Sequence, residues 1–147
     1  MIHALLRTFF RLLPPDWAMK VYHRTVRRFA AAMPEAFRNV PMRCCPGFTM
    51  NLKQGDVGHA ELAFTGIYEP EETEMIARIA REKGGLLVDV GANFGYYTLL
   101  WCGQNPNNRS IAFEASPLVL PHLKENIRRN GLENRVPFMD NDLVDFA

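Results

Sequence analysis

In the stretch LLVDVGANFGYYTLL, residues 86–100, Asp89 stands two residues before Gly91, and Glu114 closes the apolar run RSIAFE at 109–114. An acid at the end of an apolar run, followed by Gly91, Ala92, Asn93 and Gly95, is what a strand running into a ligand-binding turn requires. Gly91 lets a ligand approach the backbone closely. Asn93 is the non-glycine type that best tolerates a left-handed backbone, and Gly95 permits close packing where a helix begins. A dinucleotide fingerprint would place glycines at 91, 93 and 96, but Asn93 and Tyr96 break it. A carboxylate beside a pyrophosphate would also repel it. The two acids suit a ligand that offers ribose hydroxyls to Glu114 and a positive group to Asp89. Taken singly, Asp89 could cap a turn and Glu114 could be an exposed strand-end acid; their joint spacing favours a site.

These residues need a frame, and the sequence from Leu86 onward supplies one. LLVDV (86–90) reads as a strand buried on both faces, the segment from Gly95 to about Cys102 as a helix, and RSIAFE as a second strand. SPLVLPHLKENIRRN (116–130) reads as a helix with Ser116 as cap, Pro117 in the first turn and Gly131 as stop. VPFM (136–139) reads as a third strand. Strand, helix, strand, helix, strand is the unit of a parallel sheet with helices over its faces. Just upstream, GIYEPEETEMIARIAREKGG predicts a helix starting at Pro70, with acids in its first turn and a buried stripe of Met75, Ile76, Ile79 and Ala80. Glu69 fits the start of that helix.

The front of the chain differs in kind. Residues 1–50 hold eight arginines and lysines against Asp16 and Glu35, whereas the rest is mildly acidic, and the whole carries a net charge of +1. HALLRTFFRLL (3–13) predicts a short helix ended by Pro14 and Pro15. Asp16 would cap a second helix running to about Met33, with Met19, Tyr22, Val26, Phe29 and Met33 on one face and Lys20, Arg24, Arg27 and Arg28 on another. That helix either rests on the domain with solvated arginines or lies on an anionic membrane surface or acidic partner. Residues 34–66 read as a connector or hairpin with strand-like runs FTMNL (48–52) and ELAF (61–64). Arg7 and Arg11 interrupt any secretory signal, although the Arg-rich front also suits an organelle transit peptide. Three cysteines, two of them adjacent, and scattered histidines indicate neither a disulfide framework nor a metal site, so a reducing cytoplasm is the expected compartment.

A ribose joined to a cation describes S-adenosylmethionine, which carries an ammonium group and a sulfonium. VDVGANFGYYTL, followed by IAFEASPLVLPHLKENIRRNGL, resembles the S-adenosylmethionine-dependent methyltransferases of the FkbM family. The family pattern runs V-D-x-G-A-N-x-G-Y-Y, then an A-F-E-P-like strand end, then a helix ending in x-N-x-x-x-N. Gly66, Tyr68 and Glu69 match its upstream G-x-Y-E. The resemblance covers about residues 56–147, and Ala115 departs from it where relatives have proline.

The resemblance implies a Rossmann-like α/β methyltransferase fold with a mostly parallel sheet, incomplete here, behind a helical N-terminal extension. Residues 1–47 would form that basic extension and 48–147 a partial methyltransferase domain holding the first three of seven strands. The first strand's far edge would then lie open. Asp89 would anchor the methionine end of the cofactor, directly or through water, and Gly91, Ala92, Asn93 and Gly95 would line it. Glu114 would bind the ribose diol, and Ala115 and Ser116 would border the adenine, whose amine Asp142 or Asp145 could meet. The acceptor implied is a sugar or natural-product hydroxyl, a small molecule or glycan and no nucleic acid; no residue identifies itself as the catalytic base. Two alternatives stand beside this: a non-catalytic cofactor-binding or membrane-surface fragment, and an NAD-dependent enzyme.

Overall fold

The computed structural model describes residues 2–139. The chain divides into two compact units, Met1–Thr73 and Glu74–Ala147. The expected α/β class is observed: helices come first, then a small parallel sheet with its own helices.

In the first unit, α1 (Ile2–Leu12) and α2 (Pro15–Arg24) form a helical hairpin around Leu13 and Pro14. Pro15 occupies the first turn of α2, where its missing N–H leaves nothing unsatisfied. The predicted α-helix to Met33 instead ends at Arg24. Thr25 leaves helical geometry, its hydroxyl donates back to the Val21 carbonyl at 2.7 Å, and a 3₁₀ segment, Arg27–Ala32, follows. The tighter repeat turns Ala30 inward and Phe29 outward, so the expected stripe holds for Tyr22 and Val26 but fails at Phe29. Arg28 covers the exposed Phe29 ring at 5.1 Å.

FTMNL does supply a strand: β2 (Thr49–Met50) pairs antiparallel with β1 (Val40–Pro41). ELAF does not. It lies in helix α3 (Val57–Thr65), capped by the Asp56 carboxylate on the His59 N–H at 3.0 Å and stopped by left-handed Gly66. α3 touches α1, α2, both 3₁₀ segments and β1, so Leu62, Ala63, Phe64 and Thr65 are all buried. A helical turn buried all round shows no helical periodicity, which is why the apolar run at the end of α3 reads as a strand. Residues 48–73 are thus built into the same unit as the basic front end.

Phe10, Tyr22 and Phe64 form its centre, with ring centroids 6.3 Å and 5.9 Å apart. The Tyr22 hydroxyl is buried there without a hydrogen-bond partner among the described residues, and burial, then Glu61's charge, pushes its pKa up to about 12. Two basic residues are committed inward. Arg7 donates to the carbonyls of Ala63 (2.8 Å) and Ala36, and Arg43 to that of Leu13 (2.6 Å). These carbonyls sit near helix ends, where no intrahelical donor reaches them.

In the second unit, β3 (Leu86–Val90), α5 (Tyr96–Gln104), β4 (Arg109–Phe113), α6 (Leu120–Arg129) and β5 (Phe138–Met139) follow in turn. The strands are parallel in the order β3-β4-β5, with Asp89 opposite Ala112 and Val90 opposite Phe113. Among the described residues β3 pairs only with β4, so its other edge is open. β3 is also not buried on both faces: Leu86, Val88 and Val90 are 57%, 55% and 79% exposed. α5 covers the opposite face, and side chains alternate across a strand.

Helix α4 (Pro70–Glu82) starts where predicted, but it buries Thr73, Ala77 and Ala80 and leaves Met75 and Ile79 exposed. Its end is held by Asn108, which donates to the carbonyls of Ala80 (3.0 Å) and Trp101 (2.8 Å) and accepts from Gly85 N–H (3.1 Å). Arg135 gathers the carbonyls of Cys102, Asn105, Pro106 and Asn108 at 2.7–3.2 Å. Cys44, Cys45 and Cys102 are unbridged. No helix among the described residues is long and apolar enough to cross a membrane.

Two substitutions should move stability in opposite directions in urea unfolding. Tyr22→Phe removes an unpaired buried hydroxyl and should stabilise by about 1 kcal/mol. Arg7→Met strands several carbonyls and should cost about 2 kcal/mol. A destabilised Tyr22→Phe variant would show that its hydroxyl has a partner in solution.

Candidate functional site

The site lies at the carboxyl ends of β3 and β4. The chain leaves β3 through Gly91, Ala92, Asn93, Phe94 and Gly95, with Gly91, Asn93 and Gly95 at φ of +79°, +52° and +90°. Asparagine takes the left-handed conformation its short polar side chain tolerates. The Phe113 carbonyl, at the end of β4, accepts the N–H groups of both Gly91 and Ala92 at 2.9 Å. The turn is therefore moulded on the neighbouring strand.

Glu114 completes that mould. Its Oε2 accepts the Asn93 N–H at 2.8 Å, and its Oε1 accepts the Ser116 N–H at 2.8 Å. One carboxylate thus joins the loop after β3 to the loop after β4. An ionised carboxylate offers about four acceptor positions. Each oxygen still has capacity for a hydroxyl donor.

Asp89 points to the sheet face under α5. Its Oδ2 accepts the Thr98 hydroxyl at 2.6 Å, and that hydroxyl lies 3.3 Å from the Ser110 hydroxyl. Burial raises the Asp89 pKa above the ordinary carboxylate value, the Thr98 hydroxyl and amide oppose this, and Glu114's charge adds to the rise. The two acids thus stand on adjacent strand ends and feel one another, while each has a partner inside the fold.

The remaining predicted residues fall around them. A Cβ at Gly91 would meet no atom within 4 Å, so the outer side of the turn is open to a ligand. Ala92 is buried and Asn93 exposed. A Cβ at Gly95 would lie 2.7 Å from Leu123 Cδ1, which is the close packing expected there. Ala115 is exposed and Ser116 half-buried. Ser116 does not start the helix: its carbonyl takes the N–H groups of Val119 and Leu120, and α6 begins at Leu120. Tyr96 is buried at the start of α5. Asp142 and Asp145 lie outside the described residues.

Thr98 and Asn126 were not marked out by sequence reasoning, yet both position the site. Buried Asn126 donates to the Phe94 carbonyl at 2.9 Å, pinning the turn to α6, and Asn130 in turn donates to the Asn126 carbonyl at 2.7 Å. Phe94 stacks on His122 with centroids 4.7 Å apart. The signal was present, since Asn126 and Asn130 are the spaced asparagines of the helix and Thr98 sits in GYYTL.

No protein-family model matches the chain, and no curated protein matches it. Solved structures do resemble it. A Staphylococcus aureus protein named as a candidate caffeoyl-CoA O-methyltransferase superposes with a TM-score of 0.48 at 15% identity, over 54% of this chain and 38% of that one. The precorrin-6y C5,15-methyltransferase of Geobacter metallireducens GS-15 gives 0.43 at 20% identity, over 54% and 45%. The S-adenosylmethionine-dependent methyltransferase SibL, in its apo form, gives 0.45 at 19% identity, over 88% and 40%. The chain spans less than half the length of these structures. Likenesses at this level leave function to be argued from the site itself.

Asp89 yields a pH-dependent prediction. Because its pKa is raised in the fold, the stability tied to its neutral form is full below the ordinary carboxylate range and is lost as pH rises through the folded-state value. Asp89→Asn should therefore melt above the parent at neutral pH, with the gap closing as pH falls below the carboxylate range. A parent that melts equally high or higher at neutral pH would show that Thr98 more than offsets the burial.

Proposed function

We propose that this chain carries the cofactor-binding half of an S-adenosylmethionine-dependent methyltransferase of FkbM type. The observation that supports it best is the Glu114 bracket: a carboxylate fixed at both oxygens, with acceptor capacity left over, beside an open glycine turn. Glu114 would accept the ribose hydroxyls, and Ala115 and Ser116 would border the base. The open side of Gly91 would admit the cofactor against the backbone, with Asn93 beside it. Asp89 would face the positively charged methionine end.

The residues present suit this ligand in charge. Two acids close to one another disfavour a pyrophosphate and favour a cation. The bound cofactor would supply an electrophilic methyl on sulfur. In the whole protein an acceptor hydroxyl, on a sugar or natural product, would attack that methyl in line. The contribution of this half is to hold the donor rigidly, because reacting atoms fixed in line remove much of the entropic barrier. A base assisting the hydroxyl would come from elsewhere in the whole protein.

Calorimetric titration of the chain with S-adenosylmethionine, its demethylated product and NAD tests this reading. The first two should bind and NAD should not. Glu114→Gln, checked for folding by circular dichroism, should weaken binding about 10- to 100-fold, the loss expected for one charge-assisted hydrogen bond. Binding of NAD alone, or unchanged affinity in a folded Glu114→Gln variant, would overturn it.

A further inference from the structure

α1 has two apolar faces, and only one is used. Phe10 is buried against Tyr22, with Leu6, Arg7 and Leu13 half-buried along the same side. The other side carries Ile2, Leu5, Phe9 and Leu12 at intervals of three and four residues, which are 63%, 68%, 48% and 80% exposed. Trp17, at the start of α2, is 63% exposed. Both helices of the hairpin contact α3, so their outward faces lie on the side away from it. Solvent-facing side chains of this size, aligned along one helix, mark an interaction surface rather than scattered exposure.

The charge around the stripe says what kind of surface it meets. Lys20 and Arg24 follow Trp17 at helical spacing and are exposed, and Arg27 and Arg28 continue the exposed basic run. Asp16 is the single acid between residues 2 and 24. A second copy laid stripe to stripe would bring these like charges together. An apolar strip on α1, with an exposed tryptophan, lysine and arginine on the adjoining α2, matches the boundary between acyl chains and anionic headgroups, although Asp16 and Glu71 share the surface of Lys20 and Arg24.

We infer that the α1–α2 hairpin is a membrane-surface anchor: Ile2, Leu5, Phe9, Leu12 and Trp17 enter the interface of an anionic bilayer while Lys20, Arg24, Arg27 and Arg28 engage its headgroups. The stripe lies on α1, whereas sequence periodicity points to α2. α2 supplies the tryptophan and the charge. The helices lie along the surface and do not span it, in keeping with their length.

The test is co-sedimentation of the intact chain with phosphatidylcholine vesicles, with and without phosphatidylglycerol, at low and high salt. Binding should need phosphatidylglycerol and weaken with salt. Trp17 should be quenched by bromine-labelled acyl chains while the buried Trp101 is not. Leu5→Asp with Phe9→Asp, and separately Lys20→Glu with Arg24→Glu, should each reduce binding at least about tenfold with unchanged circular dichroism. These positions are exposed, so folding should survive the changes. The inference fails if anionic vesicles do not bind the chain, or if neither double variant weakens binding. It fails equally if light scattering shows a dimer that Leu5→Asp with Phe9→Asp dissolves, since a second copy then covers the stripe.

Discussion

The geometry of the candidate site depends on one carboxylate accepting two backbone N–H groups from different loops. Glu114 reaches Asn93 on one side and Ser116 on the other, both at 2.8 Å. Without it, the turn after β3 would still be tied to the Phe113 carbonyl, but its outer half would lose its link to the loop after β4. A neutral side chain could not replace it evenly. Glutamine offers one acceptor oxygen and one donor group, so one of the two amides would face another donor. Asn126 then fixes the same turn from below through the Phe94 carbonyl. The loop is held on two sides before any ligand arrives, which is the preorganisation that tight positioning requires.

Among the described residues, the sheet that carries this site is covered on one face at β3 and exposed on the other. α5 covers the face of Asp89 and Ser110, while Leu86, Val88 and Val90 project from the other. Parallel sheets occur almost only with both faces covered, because their crossover helices lie there. Burying such aliphatic side chains fully contributes roughly 1.5–3 kcal/mol each, so this face leaves substantial stabilisation unrealised. The second unit keeps its apolar core on the covered face, where Leu99, Leu100, Leu123, Ile127 and Val136 are fully buried, and the Asn108 and Arg135 networks gather carbonyls from α5, α4 and the loop before β4.

What could be read in advance follows the range of the forces involved. The β–α–β–α–β order was legible because strands and helices there are short, alternating and bounded by glycine. The turn was legible because Gly91, Asn93 and Gly95 are demanded by local backbone conformation. Three readings failed where burial is decided by distant neighbours. The last turn of α3 is buried all round and so loses its periodicity, α4 buries its alanines in place of Met75 and Ile79, and β3 has one uncovered face. The end of α2 failed for a local reason, since Thr25 competes for the Val21 carbonyl and the spacing tightens beyond it. Arg7 and Arg43 could not be told from solvated arginines, because the carbonyls they bind come from residues far away in sequence.

The hydroxyl chain behind Asp89 carries the last constraint on the ligand. The Thr98 proton is committed to Asp89, so the contact between Thr98 and Ser110 must be donated by Ser110. The chain of donors runs from Ser110 through Thr98 to the acid, and each bond polarises the next toward a negative charge at its end. Burial and the nearby Glu114 work the other way and favour a neutral acid. An apolar or neutral replacement at 89 would relieve that conflict. A cation beside the acid would offset both the desolvation and the repulsion from Glu114, whereas an anion would worsen both. On these interactions alone, Asp89 would accommodate a cation beside it better than an anion.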